Sequence, residues 1–173
     1  GPANDIVRGG DGSDLVFGDH ALYDIDLPAN ARAVSIFFRL EDGGGNDTVF
    51  GGNGDDFIFG QQGGDHLQGD DGQDDIVGGH NVVGGSDGGD GIYGGAGDDV
   101  ILGDNGAISR VWLSSDWKVP EWKSYDHGSA STVFRSVMRY DVSDGAGGGD
   151  YLAGGDGDDT IYGQTGGDAI YGD

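Results

Sequence analysis

Aspartates recur at a spacing of nine residues in much of the sequence. Each takes the sixth position of the unit Gly-Gly-x-Gly-x-Asp-x-aliphatic-x, which is clearest in residues 51–59. An aspartate supplies a hard oxygen ligand for a divalent cation, and the glycines permit the positive φ values of a tight turn. Full copies begin at residues 9, 42, 51, 60, 69, 85, 94, 145, 154 and 163, and residues 4–8 form a partial copy. The sixth-position aspartates are Asp5, Asp14, Asp47, Asp56, Asp65, Asp74, Asp90, Asp99, Asp150, Asp159 and Asp168.

Two interpretations of these aspartates are open. The carboxylates bind a metal, or they cap their own turns by accepting bonds from backbone N–H groups. We favour metal ligation because every copy keeps the aspartate, whereas the second position varies and the turn therefore tolerates other residues there. Asp5, Asp14 and Asp168 stand at block ends, where a stacking partner is less assured. Acidic residues at positions three and five, such as Asp55, either bind metal as well or are solvated turn residues, which we favour.

The eighth position explains which element holds each aspartate in place. It is always Val, Ile or Leu, as at Val49, Ile58 and Leu67. A short strand that points one side chain inward and two outward gives this pattern. One buried aliphatic side chain contributes about 1.5–3 kcal/mol, whereas ordering backbone costs roughly 1 kcal/mol per residue. Because each copy orders nine residues, we expect the chain to need metal in order to fold.

The unit resembles the hemolysin-type calcium-binding family, the RTX ("repeats in toxin") nonapeptides. The resemblance implies an all-β, right-handed parallel β-roll with stacked calcium loops, in which six residues form a loop, three form a strand and two nonapeptides complete a turn. It also implies about eight Ca²⁺ ions, bound by the aspartates and by glycine backbone carbonyls. The expected carbonyl donors are Gly10, Gly12, Gly43, Gly45, Gly52, Gly54, Gly63, Gly72, Gly88, Gly95, Gly97, Gly148, Gly155, Gly157 and Gly166. Asp19 and Asp104 are possible further ligands.

Breaks in the repeat divide the chain. We predict roll blocks at 4–18, 42–103 and 145–173, with residues 78–84 as a contracted copy whose metal loop is weak or missing. The inserts 19–41 and 104–144 change to strand alternation, and each is predicted to form a β-hairpin. The predicted strand residues are Tyr23, Ile25 and Leu27 opposite Val34, Ile36, Phe38 and Leu40, and Ile108, Arg110 and Trp112 opposite Phe134, Met138, Tyr140 and Val142.

Outward-facing aromatic and basic residues leave several roles open. Aromatic side chains at position nine are either covered by an insert hairpin, which we favour, or form a binding surface. Trp112, Trp117 and Trp122 either anchor the second insert, which we favour, or bind sugar together with neighbouring lysines and Tyr125. Arginines of the inserts are expected to pair with the acidic roll, with membrane or anionic-glycan contact as the alternative. Those arginines are Arg32, Arg39, Arg135 and Arg139; the position-nine residues are Phe17, Phe50, Phe59, Tyr93, Tyr162 and Tyr171.

Composition excludes several classes of function. The 173 residues carry a net charge of −24, which disfavours nucleic acid as a partner. Only Glu41 and Glu121 are glutamates among the 32 acidic residues, and short aspartates suit tight metal loops better. There is no cysteine, no membrane-spanning apolar run and no clustered histidine. No catalytic constellation is present, so we do not expect an enzyme.

These observations predict a calcium-dependent folding and scaffold module of a larger secreted or cell-surface protein. The family resemblance implies bacterial type I secretion. The sequence begins and ends within a repeat, so we interpret it as a segment of a longer array, with adjacent modules as partners. The alternative is an adhesion or recognition module, in which the inserts bind a glycan or protein on a calcium-rigidified support.

Overall fold

The computed structural model describes residues 1–23, 33–35, 43–111, 134–143, 145 and 147–173. These residues form β-strands and no helix. The strands are β1 (Ile6–Asp11), β2 (Leu15–Phe17), β3 (Ala21–Tyr23), β4 (Ala33–Ser35), β5 (Thr48–Asn53), β6 (Phe57–Phe59), β7 (His66–Asp71), β8 (Asp75–Val77), β9 (Gly91–Ala96), β10 (Val100–Leu102), β11 (Gly106–Val111), β12 (Phe134–Arg139), β13 (Tyr151–Asp156), β14 (Thr160–Tyr162) and β15 (Ala169–Tyr171).

Successive nonapeptides alternate between two parallel sheets that face each other. One sheet has six strands in the order β1-β5-β7-β9-β13-β15, and the other has five in the order β14-β10-β8-β6-β2. The position-eight side chains point between the sheets and form the core, in which Val49, Ile58 and Leu67 are fully buried. The predicted parallel β-roll with two nonapeptides per turn is confirmed.

Strand length differs between the sheets. The five-stranded sheet has three-residue strands, as predicted, but most strands of the six-stranded sheet have six residues. The ladder there continues through positions one to three of the next copy, so that Asp11 pairs with Asn53. Three residues at position two keep a left-handed conformation without being glycine, with φ of 78° at Gln61, 74° at Asp70 and 68° at Gln164. The turn thus accepts other residues there only at a conformational cost.

The roll runs without interruption past both inserts. β1 pairs with β5 and β2 with β6 across the first insert, and β9 pairs with β13 and β10 with β14 across the second. Each insert contains an antiparallel pair, β3 with β4 and β11 with β12. The predicted strand residues Ile25, Leu27, Ile36, Phe38, Leu40 and Trp112 lie outside the described residues.

The hairpin of β11 and β12 covers the outer face of the five-stranded sheet. Ile108 and its paired residue Val137 pack with Phe57, Phe59 and Leu102. Met138 and Val142 were predicted to share one face of this strand; Met138 is 60% exposed, and Val142 lies beyond the end of β12 and is 52% exposed. Val137 pairs with Ile108 and packs with it on the roll, so the face of β12 that contacts the roll is the one opposite Met138.

The hairpin covers some of the position-nine aromatic residues. Coverage is confirmed for Phe59, which is buried in a cluster with Ile108, and for Tyr162, over whose ring Arg139 of β12 lies. Phe17 stacks on Phe59. Tyr93 and Tyr171, on the six-stranded sheet, are exposed. The hairpin therefore protects one sheet only.

Both inserts lie at one edge of the roll. We call the edge formed by loops 9–14, 51–56, 69–74, 94–99 and 154–159 the first edge, and the opposite one the second edge. The first edge is built from uninterrupted nonapeptides, whereas the second contains both inserts and residues 78–84. Residues 78–84 contribute no strand and lengthen the loop between β8 and β9, so they do not form a contracted turn of their own.

Candidate metal centre

The sixth-position aspartates form one stack at each edge. Within a stack, each aspartate after the first accepts at Oδ1 the backbone N–H of the aspartate in the preceding turn, at 2.7–3.1 Å. Thus Asp56 donates to Asp74, and Asp74 to Asp99. This is the backbone-capping role, but it uses one oxygen of each carboxylate. The first edge carries Asp14, Asp56, Asp74, Asp99 and Asp159, and the second carries Asp5, Asp47, Asp65, Asp90, Asp150 and Asp168.

The other carboxylate oxygen, Oδ2, is buried without a hydrogen-bond partner in most of these residues. A buried acceptor that loses its partner costs about 1–3 kcal/mol, and more when it is charged. Recurrence at equivalent positions makes the arrangement a property of the repeat and indicates a cation as the missing partner. The aspartates with such an oxygen are Asp14, Asp47, Asp56, Asp65, Asp74, Asp90, Asp99, Asp150 and Asp159.

A backbone carbonyl lies beside each of these free oxygens, above the glycine at position one. A Cβ on Gly51 would collide with Oδ2 of Asp56 and approach the carbonyl oxygen of Gly69 in the next turn. A Cβ on Gly69 would meet Oδ2 of Asp74 and the carbonyl oxygen of Gly94 in the same way. Carboxylate and carbonyl oxygens are the ligands that Ca²⁺ prefers. The absence of a side chain at position one leaves room where these two oxygens converge.

These position-one carbonyls are not among those expected from the sequence, and the expected glycine carbonyls stay a prediction. Among the expected donors, the carbonyl oxygen of Gly10 lies against the α-carbon of Gly52, and that of Gly12 lies against the α-carbon of Gly54. In each case the facing glycine belongs to the next turn. The signal for position one was partly hidden, because in three loops of the second edge an insertion separates this glycine from its aspartate. The same contact joins Gly18 to Asp47, Gly78 to Asp90 and Gly103 to Asp150. Both inserts therefore lie inside a loop, after its first residue.

Asp19 and Asp104 follow the first glycine of an interrupted loop and act as backbone acceptors. Asp19 accepts the N–H of Gly45 at 3.0 Å and that of Gln62 at 3.3 Å. Asp104 accepts the N–H of Thr165 at 2.6 Å and its hydroxyl at 2.9 Å. Asp19 thereby joins the start of its loop to the segment beyond the insert and to the next turn, and Asp104 joins its loop to the next turn. These contacts link the turns, while Oδ1 of Asp104 is buried without a hydrogen-bond partner; a ligand role for the two residues stays a prediction.

Burial dominates the electrostatics of the stacks. It raises the pKa of Asp74 to about 8 and the pKa values of Asp65 and Asp99 to about 7, with neighbouring carboxylates adding to the effect. The N–H bond from the preceding aspartate opposes the shift in each case. Among the described residues no three acidic or histidine side chains gather closely enough to hold a metal ion by themselves. Each candidate site must therefore combine carboxylates with backbone carbonyls.

A buried ionic cluster lies next to the first-edge stack. Asp75, at position seven, is fully buried and receives Nε of Arg110 at 2.6 Å and Nε of Arg135 at 2.8 Å. Arg110 also donates to the carbonyl of Gln73 at 2.6 Å. The predicted pairing of an insert arginine with the roll is confirmed for Arg135, although the pair is buried rather than superficial. Sequence reasoning missed Asp75, whose only signal is a charge at a position that faces outward.

The remaining basic residues and the tryptophans are only partly described. Arg139 lies over the ring of Tyr162, 5.2 Å from its centroid. Arg32, Arg39, Trp112, Trp117, Trp122 and Tyr125 fall outside the described residues, so their predicted roles stay predictions.

Two rows of stacked aspartates, each with a free carboxylate oxygen beside a carbonyl oxygen, define a β-roll that binds divalent cations. The chain belongs to the RTX calcium-binding nonapeptide repeat family, which matches residues 1–19, 39–67, 53–81, 77–107 and 144–173. The cation of this family is calcium, and its members are typically secreted. No curated protein and no solved structure matches the chain. Within the described ranges, no helix is long and apolar enough to cross a membrane.

Proposed function

We propose that the chain is a scaffold that folds when calcium binds, within a larger secreted protein. The observation that carries the proposal is the free Oδ2 atom repeated along both aspartate stacks. One ion between each pair of consecutive aspartates gives four sites at the first edge and five at the second. This upper count of nine is close to the eight expected from the sequence. The ligands are the sixth-position carboxylates and the carbonyls of position one.

Calcium is proposed as the folding switch because the roll has little else to stabilise it. The core receives one aliphatic side chain from each nonapeptide, while the edges bring like-charged, desolvated carboxylates into contact. Binding to the folded chain alone stabilises it by RT ln(1 + [L]/Kd) at each site. Since extracellular sites typically bind at about 0.1–1 mM, they stay empty at intracellular calcium levels and fill outside the cell. The chain would thus be unfolded during export, consistent with type I secretion, and would fold afterwards. We assign it no catalytic role.

Isothermal titration calorimetry with Ca²⁺, run beside far-ultraviolet circular dichroism, tests this proposal. We expect more than five ions per chain and a gain of β-structure over the same calcium range. Mg²⁺ is the matched control, because it requires octahedral geometry and keeps its water ligands more firmly. Equal folding by Mg²⁺ at the same concentration, or saturation by one or two calcium ions, would contradict it.

A second candidate function is recognition through the inserts. It is favoured by the buried Arg110–Asp75–Arg135 cluster and the Ile108–Val137 contact, which fix the second hairpin rigidly on the roll. A rigid support is what a presented binding loop needs. Replacing residues 112–133 with a short turn between β11 and β12 tests it on a glycan array and in cell adhesion. Unchanged binding in both assays would eliminate this function and leave the scaffold.

A further inference from the structure

The outer face of the six-stranded sheet carries three exposed tyrosines that neither the calcium stacks nor the second hairpin uses. Tyr93, Tyr151 and Tyr171 are 36%, 43% and 49% exposed. Their rings form a continuous series, with centroids 5.6 Å apart between Tyr93 and Tyr151 and 5.1 Å apart between Tyr151 and Tyr171. His66 extends the series, edge-on to Tyr93 at 5.3 Å. We call these four residues the aromatic series.

Small residues stand beside the tyrosines in the strand register. Tyr151 is flanked by Gly91 and Ala169, and Tyr171 by Ala153. On the five-stranded sheet, by contrast, outward positions carry large apolar residues that the hairpin buries. The small neighbours leave ring faces accessible, and stable monomers rarely expose such surfaces without a use.

A row of carboxylates runs along the same sheet. Asp71 and Asp156 lie three residues beyond position nine of their strands, and Asp11 occupies the equivalent place in β1. Three residues of strand span about 10 Å. These aspartates are exposed, and they stand at position three, outside the stacks whose free oxygens face the calcium sites. Their negative charge therefore remains when calcium is bound, and it complements a positively charged partner.

The chain itself shows how outward aromatic residues of this roll are covered. Arg8 lies over the ring of Phe50, 5.0 Å from its centroid, in the same register row as Tyr93. On the other sheet Arg110 lies 4.5 Å from the centroid of Phe57, and Arg139 covers Tyr162. Guanidinium groups on aromatic faces thus recur at positions seven and nine. The tyrosines of the aromatic series are also outward aromatic residues, but their rings are exposed.

We propose that the outer face of the six-stranded sheet binds an extended, arginine-bearing segment of a partner protein. Guanidinium groups stack on Tyr93, Tyr151 and Tyr171, and further basic side chains of the segment pair with the row of carboxylates at the first edge, about 10 Å away along the strands. Arginine fits this face better than lysine, because its planar group stacks on rings and is more weakly hydrated. An extended partner lying across the sheet directs alternate side chains at the face, so one segment can place several arginines over the aromatic series.

The test measures binding of three synthetic peptides in millimolar calcium at physiological salt, with the folded state checked by circular dichroism. The peptides are identical except that alternate positions carry arginine, lysine or glutamine. We expect the arginine peptide to bind best, about fivefold or more above the lysine peptide. Replacing the three tyrosines with alanine should lower arginine-peptide affinity at least fivefold, while replacing them with phenylalanine should preserve it. Both variants keep the net charge, so charge alone does not distinguish them.

Several outcomes would overturn the proposal. Equal affinity for arginine and lysine peptides, or an alanine variant that binds like the parent, would reduce the interaction to bulk electrostatics. Binding of a neutral oligosaccharide that is lost in the alanine variant would assign the face to carbohydrate if arginine peptide does not compete. A dimer in analytical ultracentrifugation that the same variant dissociates would assign it to a second copy. A chain that binds calcium and folds but ignores the peptides would refute this inference and leave the proposed scaffold function intact.

Discussion

Replacing Asp74 with asparagine removes the free oxygen of one aspartate in the middle of the first-edge stack. The amide keeps an Oδ1 that accepts the N–H of Asp56, now at 2.7 Å, so the backbone cap survives while the anionic ligand is lost. Asp74 faces the turns of Asp56 and Asp99, and the substitution therefore affects up to two sites. At ~10 mM calcium and a Kd of ~0.1–1 mM, each site contributes about 1.4–2.7 kcal/mol. We expect Asp74→Asn to lower the free energy of unfolding by about 1.4–5 kcal/mol, depending on whether one or both sites are lost.

Guanidinium unfolding at fixed calcium, followed by circular dichroism, measures this loss. Asp71→Asn is the matched control, because Asp71 is exposed in the same loop and makes the same change of charge. We expect the control to stay within about 0.5 kcal/mol of the parent. The calcium midpoint of folding should rise for Asp74→Asn and not for the control. Equal effects of the two substitutions would refute the assignment of Oδ2 as a ligand, since net charge alone would then explain both.

Three further predictions concern the hairpin, the glycines and pH. Asp75→Asn leaves two buried guanidinium groups without their carboxylate, at a cost of about 3–5 kcal/mol. Amide hydrogen exchange should therefore accelerate far more in β11 and β12 than in β5 and β7. Uniform acceleration would contradict a local role of Asp75. In thermal unfolding, Gly54→Ala should lower the stability by about 1–3 kcal/mol more than Gly12→Ala. Both glycines have positive φ, but only a Cβ on Gly54 meets another turn. Equal losses would count against close stacking of the turns. In chelator, burial raises the folded-state pKa values of stacked aspartates from 3.8 to about 6–8, so protons stabilise the calcium-free roll below pH 3.8, and this stabilisation is lost as pH rises through 6 to 8. Circular dichroism in chelator should show more β-structure at about pH 5 than at pH 8. The reverse order would contradict the upward shift of these pKa values by burial.

Local periodicity was sufficient to predict the roll, the core and the stacked aspartates. Each of these depends on one residue type at one position, as Ile58 and Asp56 illustrate, and neighbouring turns repeat the same contacts. The position-one carbonyl was not predicted because it belongs to the next turn, and spacing along the chain does not reveal which carbonyl faces a given carboxylate. Residues 78–84 were misinterpreted for a similar reason. Their glycines and Val83 resemble a copy, but Val83 is 64% exposed, and Gly78 is the first residue of the long loop that ends at Asp90.

The packing of the second hairpin depended on information that alternation alone lacks. Met138 and Val137 are both apolar, so the sequence permits either face of β12 to meet the roll. Pairing of Arg110 and Arg135 with one buried carboxylate decides between them, and that carboxylate lies in a distant repeat. Asp75 is a charged residue among the mostly apolar outward positions of its sheet. Such a charge could have indicated that a basic residue of another element packs there.

The central claim is that calcium, bound by the free carboxylate oxygens, folds the roll. Far-ultraviolet circular dichroism of the chain in excess chelator, and again in millimolar calcium at the same pH and ionic strength, tests it most directly. We predict a spectrum of a largely unfolded chain in chelator and a cooperative change to β-structure when calcium is added. A chain with the same β-structure in both conditions would contradict the claim.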